Sequence, residues 1–205
     1  MAYTSKNELT HGLGYGVVFT DLTGSKAGIP IAGLRAVETE TKQDNKNFYA
    51  GFNAPYRTIA GAKSTEIKVK SYDLPDEFAI HALGFWKDSG FMTDDALNYK
   101  PYGFAYAERY RDNDGTGYKV TFYPNVQATT PSDTAEADEE SPTGKEYEHT
   151  ATVTTGDFVL WNTKRLLLKF KVSDRDLLTG TSGTALAFKK LFNELKPLKP
   201  EDVKA

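Results

Sequence analysis

Residues 102–111 set the tightest constraint on how this chain folds. Tyr102, Phe104, Tyr106, Glu108 and Tyr110 fall on one side of a two-residue period. Gly103, Ala105, Ala107, Arg109 and Arg111 fall on the other. Successive side chains of a strand point to opposite faces, so this alternation fits a strand and not a helix. Asp112, Asn113, Asp114 and Gly115 then supply the chemistry of a hairpin turn. Tyr118, Val120 and Phe122 return with the same period as cross-strand partners. A second alternation puts Thr65, Ile67 and Val69 on one face. Residues 13–19, 29–41, 150–161 and 164–172 read as further extended segments, with Pro30 holding the second of these at an edge. Twelve Tyr, twelve Phe and seventeen Gly suit twisted antiparallel sheet. The expected fold is mainly β. It has two packed antiparallel sheets, β-sandwich or barrel-like, in a single domain spanning 1–205.

The period changes twice. Pro75, followed by Asp76 and Glu77, has the chemistry of a helix start, and Leu74, Phe78, His81 and Phe85 follow at helical spacing. A flanking helix is expected over 75–83. Leu186, Phe188, Leu191, Phe192 and Leu195 form a second helical stripe, stopped by Pro197, within a C-terminal helix and tail at 184–205. Residues 1–12 read as an N-terminal arm and 44–47 as a polar loop.

Residues 127–155 interrupt this pattern. Asp133, Glu136, Asp138, Glu139, Glu140, Glu146 and Glu148 stand against a single lysine, Lys145, and nothing between 129 and 145 is larger and more apolar than alanine. Such a piece buries too little surface to offset its own ordering entropy. Connections this long inside a compact domain are functional or disordered far more often than they are plain links. The expectation is a long acidic arm, with Asp133, Glu136, Asp138, Glu139, Glu140, Lys145 and Glu146 as contact residues that order on meeting a partner. A passive disordered loop is the alternative.

The chemistry-bearing residues are sparse. The chain has no cysteine, which excludes disulfides and thiolate metal sites. Its three histidines, His11, His81 and His149, are far apart in sequence. Asp112–Gly115 resembles the start of a calcium loop, but Tyr123 stands where a twelfth-position carboxylate is needed, so a hairpin turn is the reading adopted. Asp76 and Glu77 suit a helix N-terminus, and His81 a packed helix. Gly12, Gly14 and Gly16 lack phosphate-loop spacing and fit close strand packing or an edge bulge. Arg109 and Arg111 read as a solvated strand face or as phosphate contacts. No nucleotide-loop or hydrolase motif occurs, so no enzyme, no cofactor and no metal are expected. A formal net charge of -3 gives no basic surface for nucleic acid. The start of the chain lacks the apolar region of a secretory signal, and apolar runs of about four residues are too short to span a membrane. Synthesis in a cytoplasm and no membrane partner are expected.

These features, taken in order, resemble the major tail proteins, or tail tube proteins, of long-tailed phages of Gram-positive bacteria. The carriers are Tyr15–Phe19; Thr39 and Glu40; Phe48, Tyr49 and Ala50; the run from Lys68 through Leu74, Pro75 and Glu77 to Gly84; the aromatic strand Tyr102–Tyr106; Phe122–Val126; and the Thr/Pro/Glu stretch that follows. The resemblance extends from Leu13 to Val172. It implies a structural virion protein, made in the host cytoplasm and resident in the virion tail. Such a protein self-assembles into hexameric rings stacked as a tube. It surrounds a tape-measure protein, contacts other tail proteins and passes DNA without sequence-specific binding. An acidic lumen follows, because like charge repels phosphate. The other reading is a β-sandwich surface module that recognises carbohydrate or protein through Trp86 and Trp161.

Overall fold

The computed structural model describes residues 9–49, 55–88, 91–94, 99–132, 146–160 and 162–203. Its strands are β1 (Leu9–Phe19), β2 (Ile29–Pro30), β3 (Leu34–Tyr49), β4 (Pro55–Ser71), β5 (Phe85–Asp88), β6 (Phe91–Asp94), β7 (Tyr102–Asp112), β8 (Gly115–Ser132), β9 (Tyr147–Val153), β10 (Val159–Leu160), β11 (Thr163–Lys164) and β12 (Leu168–Ser173). The helices are α1 (Asp76–Ala82), α2 (Asp174–Thr179) and α3 (Gly183–Phe192), followed by a 3₁₀ turn at Pro200–Val203. One open antiparallel sheet runs β2-β1-β7-β8-β9-β4-β3, and β12 also pairs with β8. β5–β6 and β10–β11 form two small ribbons.

β8 organises the sheet. Along one edge it pairs with β7. Along the other, Gly117–Phe122 pair with β12 and Val126–Ser132 with β9. The switch falls at Pro124, which has no N–H to give to a ladder. The β7 register also slips there, from Phe104↔Tyr123 to Tyr102↔Val126, as a bulge bends the strand. Asn125 holds the corner: its carbonyl accepts from Thr154 N at 3.1 Å, and its side-chain amide donates to Thr154 Oγ1 at 2.6 Å. Beyond this corner the sheet curls over itself. The result is the mainly antiparallel β fold expected, with a flanking helix and a C-terminal helix; its two layers belong to one large bent sheet that is not closed, with small ribbons attached.

Two cores follow from the bend. The first lies between the layers and joins Val18, Phe104, Tyr106 and Tyr123 to Ile67, Val69, Ala151 and Val153. α1 adds Phe78, Ala79 and Ala82 to it, with the Phe78 ring 5.1 Å from Tyr102 and 5.2 Å from His149. The second lies on the opposite face of β1, β7, β8 and β12. There Ala105 and Ala107 leave room for Val120, Phe122, Phe158 and Leu160 and for Phe188, Leu191 and Phe192 of α3. The register explains the alternation of large and small residues in β7: Phe122 opposes Ala105 and Val120 opposes Ala107. Gly12 and Gly16 do what close packing and bulging require. Gly12 has φ +67 at a register slip in β1, and a Cβ on Gly16 would lie 2.6 Å from Leu34 Cδ2.

Several elements differ from expectation. Residues 9–12, expected in an arm, lie in β1 and pair with β7. Residues 44–47, expected as a polar loop, lie inside β3, whose ladder with β4 runs out to Tyr49↔Pro55. The expected acidic loop is shorter at both ends, because 127–132 complete β8 and 147–153 form β9. The polar Thr and Glu residues of these stretches gave no apolar period, and backbone pairing decided the outcome. Residues 150–161 and 164–172 are not continuous strands; they contain the end of β9, then β10, β11 and β12. α2 was not anticipated. Of the C-terminal stripe, Phe188, Leu191 and Phe192 are buried, Leu186 faces outward, and Leu195 lies past the helix with φ 53.

Candidate assembly surfaces

The layer made by β3, β4, β9 and the second half of β8 carries the features that the core does not explain. Its inner face is apolar or small: Thr65, Ile67, Val69, Ser71, His149, Ala151 and Val153 are all buried. α2 and α3 pack on β1, β8 and β12. The outer face of this layer carries Glu38, Glu40 and Lys42 from β3, Glu66, Lys68 and Lys70 from β4, Glu148, Thr150 and Thr152 from β9, and Gln127 and Thr129 from β8. Each of the three lysines is paired. Lys42 Nζ lies 3.3 Å from Glu40 Oε2 and 3.5 Å from Glu66 Oε2. Lys68 Nζ lies 2.7 Å from Glu148 Oε1. Lys70 Nζ lies 3.6 Å from Glu148 Oε2 and 3.9 Å from Glu38 Oε1. The hydrogen bond from Lys68 holds the Glu148 carboxyl below its ordinary range, and Glu148 in turn raises Lys68.

Two strand pairs, β3–β4 and β8–β9, have their connected ends at opposite ends of this layer. β4 pairs with β9 only from Thr65 to Ser71. Residues 42–63 of β3 and β4 therefore run on as a two-stranded ribbon with no third strand among the described residues. At about 3.3 Å per residue it projects roughly 25 Å. A two-stranded ribbon alone is marginally stable in water, and Ile59 on it is exposed. At the other end, Ser132 of β8 lies beside Glu148, and Tyr147 of β9 beside Ser71. The segment 133–145 is entered and left there. Of the expected contact residues, Asp133, Glu136, Asp138, Glu139, Glu140 and Lys145 lie outside the described residues. Glu146 is described: its Oε2 accepts from Arg35 Nη1 at 2.6 Å, which ties the root of that segment to β3. Arg35 also lies 5.7 Å over the Tyr72 ring.

Other singled-out residues take structural places. Arg109 does not stand on a free solvated face. It donates twice to the Asp174 carboxylate, at 2.7 and 2.6 Å, and stacks 4.6 Å over Tyr118. Thr116 donates to the same carboxylate, so one group joins the β7–β8 hairpin to α2. Asp112–Gly115 is the two-residue hairpin turn, with Asp114 N donating to Asp112 Oδ1 at 2.9 Å. His81 Nε2 lies 3.2 Å from Pro101 O. His149 is buried against Phe78, and burial lowers it to about 4. Among the described residues no group of three or more His, Asp and Glu is placed to hold a metal ion. Trp86 lies in β5, and Trp161 lies outside the described residues.

Sequence reasoning missed the ribbon, since its residues carry no apolar stripe. The charged face was half visible: Glu66, Lys68 and Lys70 alternate with the buried Thr65, Ile67 and Val69. Their partners on β3 and β9 needed the register.

The family model of the phage tail tube protein matches residues 2–202. The chain therefore belongs to the phage tail tube protein family, and it is a structural component of the virion tail. That membership gives no support to the alternative of a surface module that recognises carbohydrate. No curated protein sequence matches the chain significantly. Among solved structures, it is similar to a chain in the tail of an empty GTA particle with C6 symmetry. The identity is 14%, the match covers 66% of this chain and 88% of that one, and the TM-score is 0.30, too low to argue from. No described helix is long and apolar enough to cross a membrane.

Proposed function

We propose that this protein closes with copies of itself into hexameric rings and that these rings stack into the tail tube. The tube surrounds a tape-measure protein and later passes DNA, and the subunit acts without catalysis. The observation that carries this reading is that β3 and β4 run on past one end of a layer, while β8 ends and β9 begins at its other end. Stacking needs a subunit to reach both the ring above and the ring below, and the two ends of that layer offer those two senses. A marginal ribbon gains its missing third strand or its buried face only from another molecule. Ring closure needs two different edges on one chain, because a heterologous contact closes by rotation. β1 offers one, since among the described residues β2 and Ile31 cover only Gly16, Val17 and Val18 of it, and β3 offers the other.

The test replaces residues 43–63 with an Asn-Gly turn joining Lys42 to Ser64, which face each other in the ladder. The shortened subunit is expected to fold, with its circular dichroism spectrum keeping its shape. It is expected to give single rings or subunits by electron microscopy where the full chain gives tubes. Tubes of ordinary length from the shortened subunit would overturn the stacking role. Deleting 133–145 gives the matching test at the other end, where shorter tubes are expected.

A further inference from the structure

We infer that α2 of one copy seats Leu178 in a cleft at the far end of the next copy, so that copies meet head to tail along the layer that carries the second core. This rests on the self-assembly reading above and adds a named contact to it. α2 has six residues, and none of them is buried. Ser173 caps its start, and Gly180, with φ 66, ends it. Asp174 fastens it to the β7–β8 hairpin by accepting from Arg109 and Thr116. So short a helix is not stable by itself and gains nothing from exposing a leucine. Yet Leu178 is 88% exposed, more than any other large apolar side chain among the described residues. A single exposed leucine needs no explanation by itself; the cleft gives this one a use.

The cleft lies at the opposite end of the same strands. β7 begins beside it at Tyr102, next to Pro101 in its wall, and ends at Asp112, in the hairpin to which α2 is fastened. α3 and the tail run back the same way, from Gly183 to Pro197 and Pro200 in the wall. The cavity measures about 540 Å³, far more than one leucine, so it can take the helix turn that carries Leu178. Leu22, Phe122, Phe158 and Leu198 give it apolar walls, and four prolines stiffen them. Preformed apolar hollows of this size are where apolar groups bind. Charge agrees with the pairing. Lys26, Lys100 and Lys199 stand around the cleft and the hollow that adjoins it across Leu22 and Pro101. The carboxylates lining the two are engaged: Asp21 accepts from Thr23 N and Lys26 N, both at 2.9 Å, and Asp157 lies 3.6 Å from Lys164. The α2 end carries Asp112, Asp114, Asp174 and Asp176 against Arg109, Arg111 and Arg175. A difference of that kind sets orientation more than affinity; burial of the leucine supplies the affinity. Knob and hole lie on different surfaces of one chain, so the contact is heterologous and repeats from copy to copy.

The chain has no cysteine, so introduced thiols are unique. Thr179→Cys with Thr155→Cys places one thiol on α2 and one in the cleft wall, and leaves Leu178 in place. The two lie at opposite ends of an eleven-residue strand, too far apart to be joined within one subunit. Tubes of this variant treated with a short bismaleimide are expected to give a ladder of linked subunits on denaturing electrophoresis. Tubes carrying Thr179→Cys with Thr150→Cys, whose second thiol is on β9, are expected to give none. A ladder that stops at the copy number of the ring would put the contact within rings, and a longer one between rings; both support it. No ladder from the first variant, or an equal ladder from the second, would overturn the assignment. Failure of the unaltered chain to form tubes would instead refute the self-assembly reading itself.

The leucine has its own test. Because α2 buries none of its residues, Leu178→Asp is expected to leave the melting temperature of the subunit unchanged and to abolish tubes. Leu178→Met, which keeps an apolar side chain of similar volume, is expected to retain them. Tubes of ordinary length from Leu178→Asp, or loss of tubes in Leu178→Met, would overturn the role of Leu178 as an apolar knob.

Discussion

The two halves of the bent sheet are built to different ends. The last four residues of β1, most of β7 and the first half of β8 are covered on both faces, by the inter-layer core on one side and by α3, Phe158 and Leu160 on the other, and β12 is covered on the α3 side only, with Lys169 and Lys171 exposed. β4, β9 and the second half of β8 bury one face, and β3 and β4 run on past the last residues that pair with β9. The first half buries its core within the subunit and leaves most of the outer edge of β1 open beyond β2. The second half has the β3 edge, a polar face and the ends of two strand pairs. A single strand can serve both halves because β8 changes partner at Pro124.

The largest effect that would break this contrast comes from the covered half. Phe122 is 1% exposed and packs edge-on against Phe19 and Phe158. Phe122→Ala is expected to cost about 3–5 kcal/mol in denaturant unfolding. If that substitution proved mild, the covered half would not be the stability centre of the subunit.

Acid is expected to act next, at the seam between the layers. His149 is held neutral by burial and has fallen from the usual histidine range to about 4. The unfolded chain takes up the proton first. Stability is therefore full above about pH 6.5 and is lost as pH falls from there toward about 4, by on the order of 3 kcal/mol. Other acidic groups, including Glu148 and Asp174, add to this loss, since pairing and hydrogen bonds hold them ionised in the fold. Thermal melts at pH 7 and pH 4.5 should show a smaller pH difference for His149→Leu than for the unaltered chain. An equal difference would remove His149 from the acid response.

Tyr102 gives a smaller effect of opposite sign. Its hydroxyl is buried with no hydrogen-bond partner among the described residues, and burial raises it far above the usual phenol range. Tyr102→Phe keeps the edge contact with Phe78 and removes an unsatisfied donor. A gain of about 1 kcal/mol is expected on unfolding. A loss instead would show that the hydroxyl is paired.

The smallest effect on stability belongs to the open half. Glu148→Gln is expected to change subunit stability by less than about 1 kcal/mol, because its lysine partners are solvated. Side by side, Phe122→Ala and Glu148→Gln sharpen the contrast between a residue the fold depends on and one it does not.

Much of the covered half was legible from residue type and period. The alternation in β7, the turn at Asp112–Gly115, the inward face of Thr65, Ile67 and Val69 and the helix after Pro75 are all local. Each follows from side-chain direction, turn chemistry or φ restriction. α2 had a local signal too: Ser173 Oγ accepts from Asp176 N at 3.0 Å and donates to Asp176 Oδ2 at 2.8 Å, a serine and acid spaced as a helix cap. It was passed over because so short a helix leaves no apolar stripe. Arg109 was misplaced because Asp174, 65 residues on, reaches it only through the path of β12.

The sequence by itself determined the β class, the two helical stretches with apolar stripes and an acidic segment unable to form a core. Those properties depend on neighbours a few residues apart. The tertiary structure alone decided that one sheet bends into two layers, that a polar stretch becomes a projecting ribbon, and which carboxylate meets which lysine. Strand pairing is a long-range backbone interaction, so even a stretch of Asp, Asn and Lys, poor strand formers by themselves, pairs once its partner is held nearby.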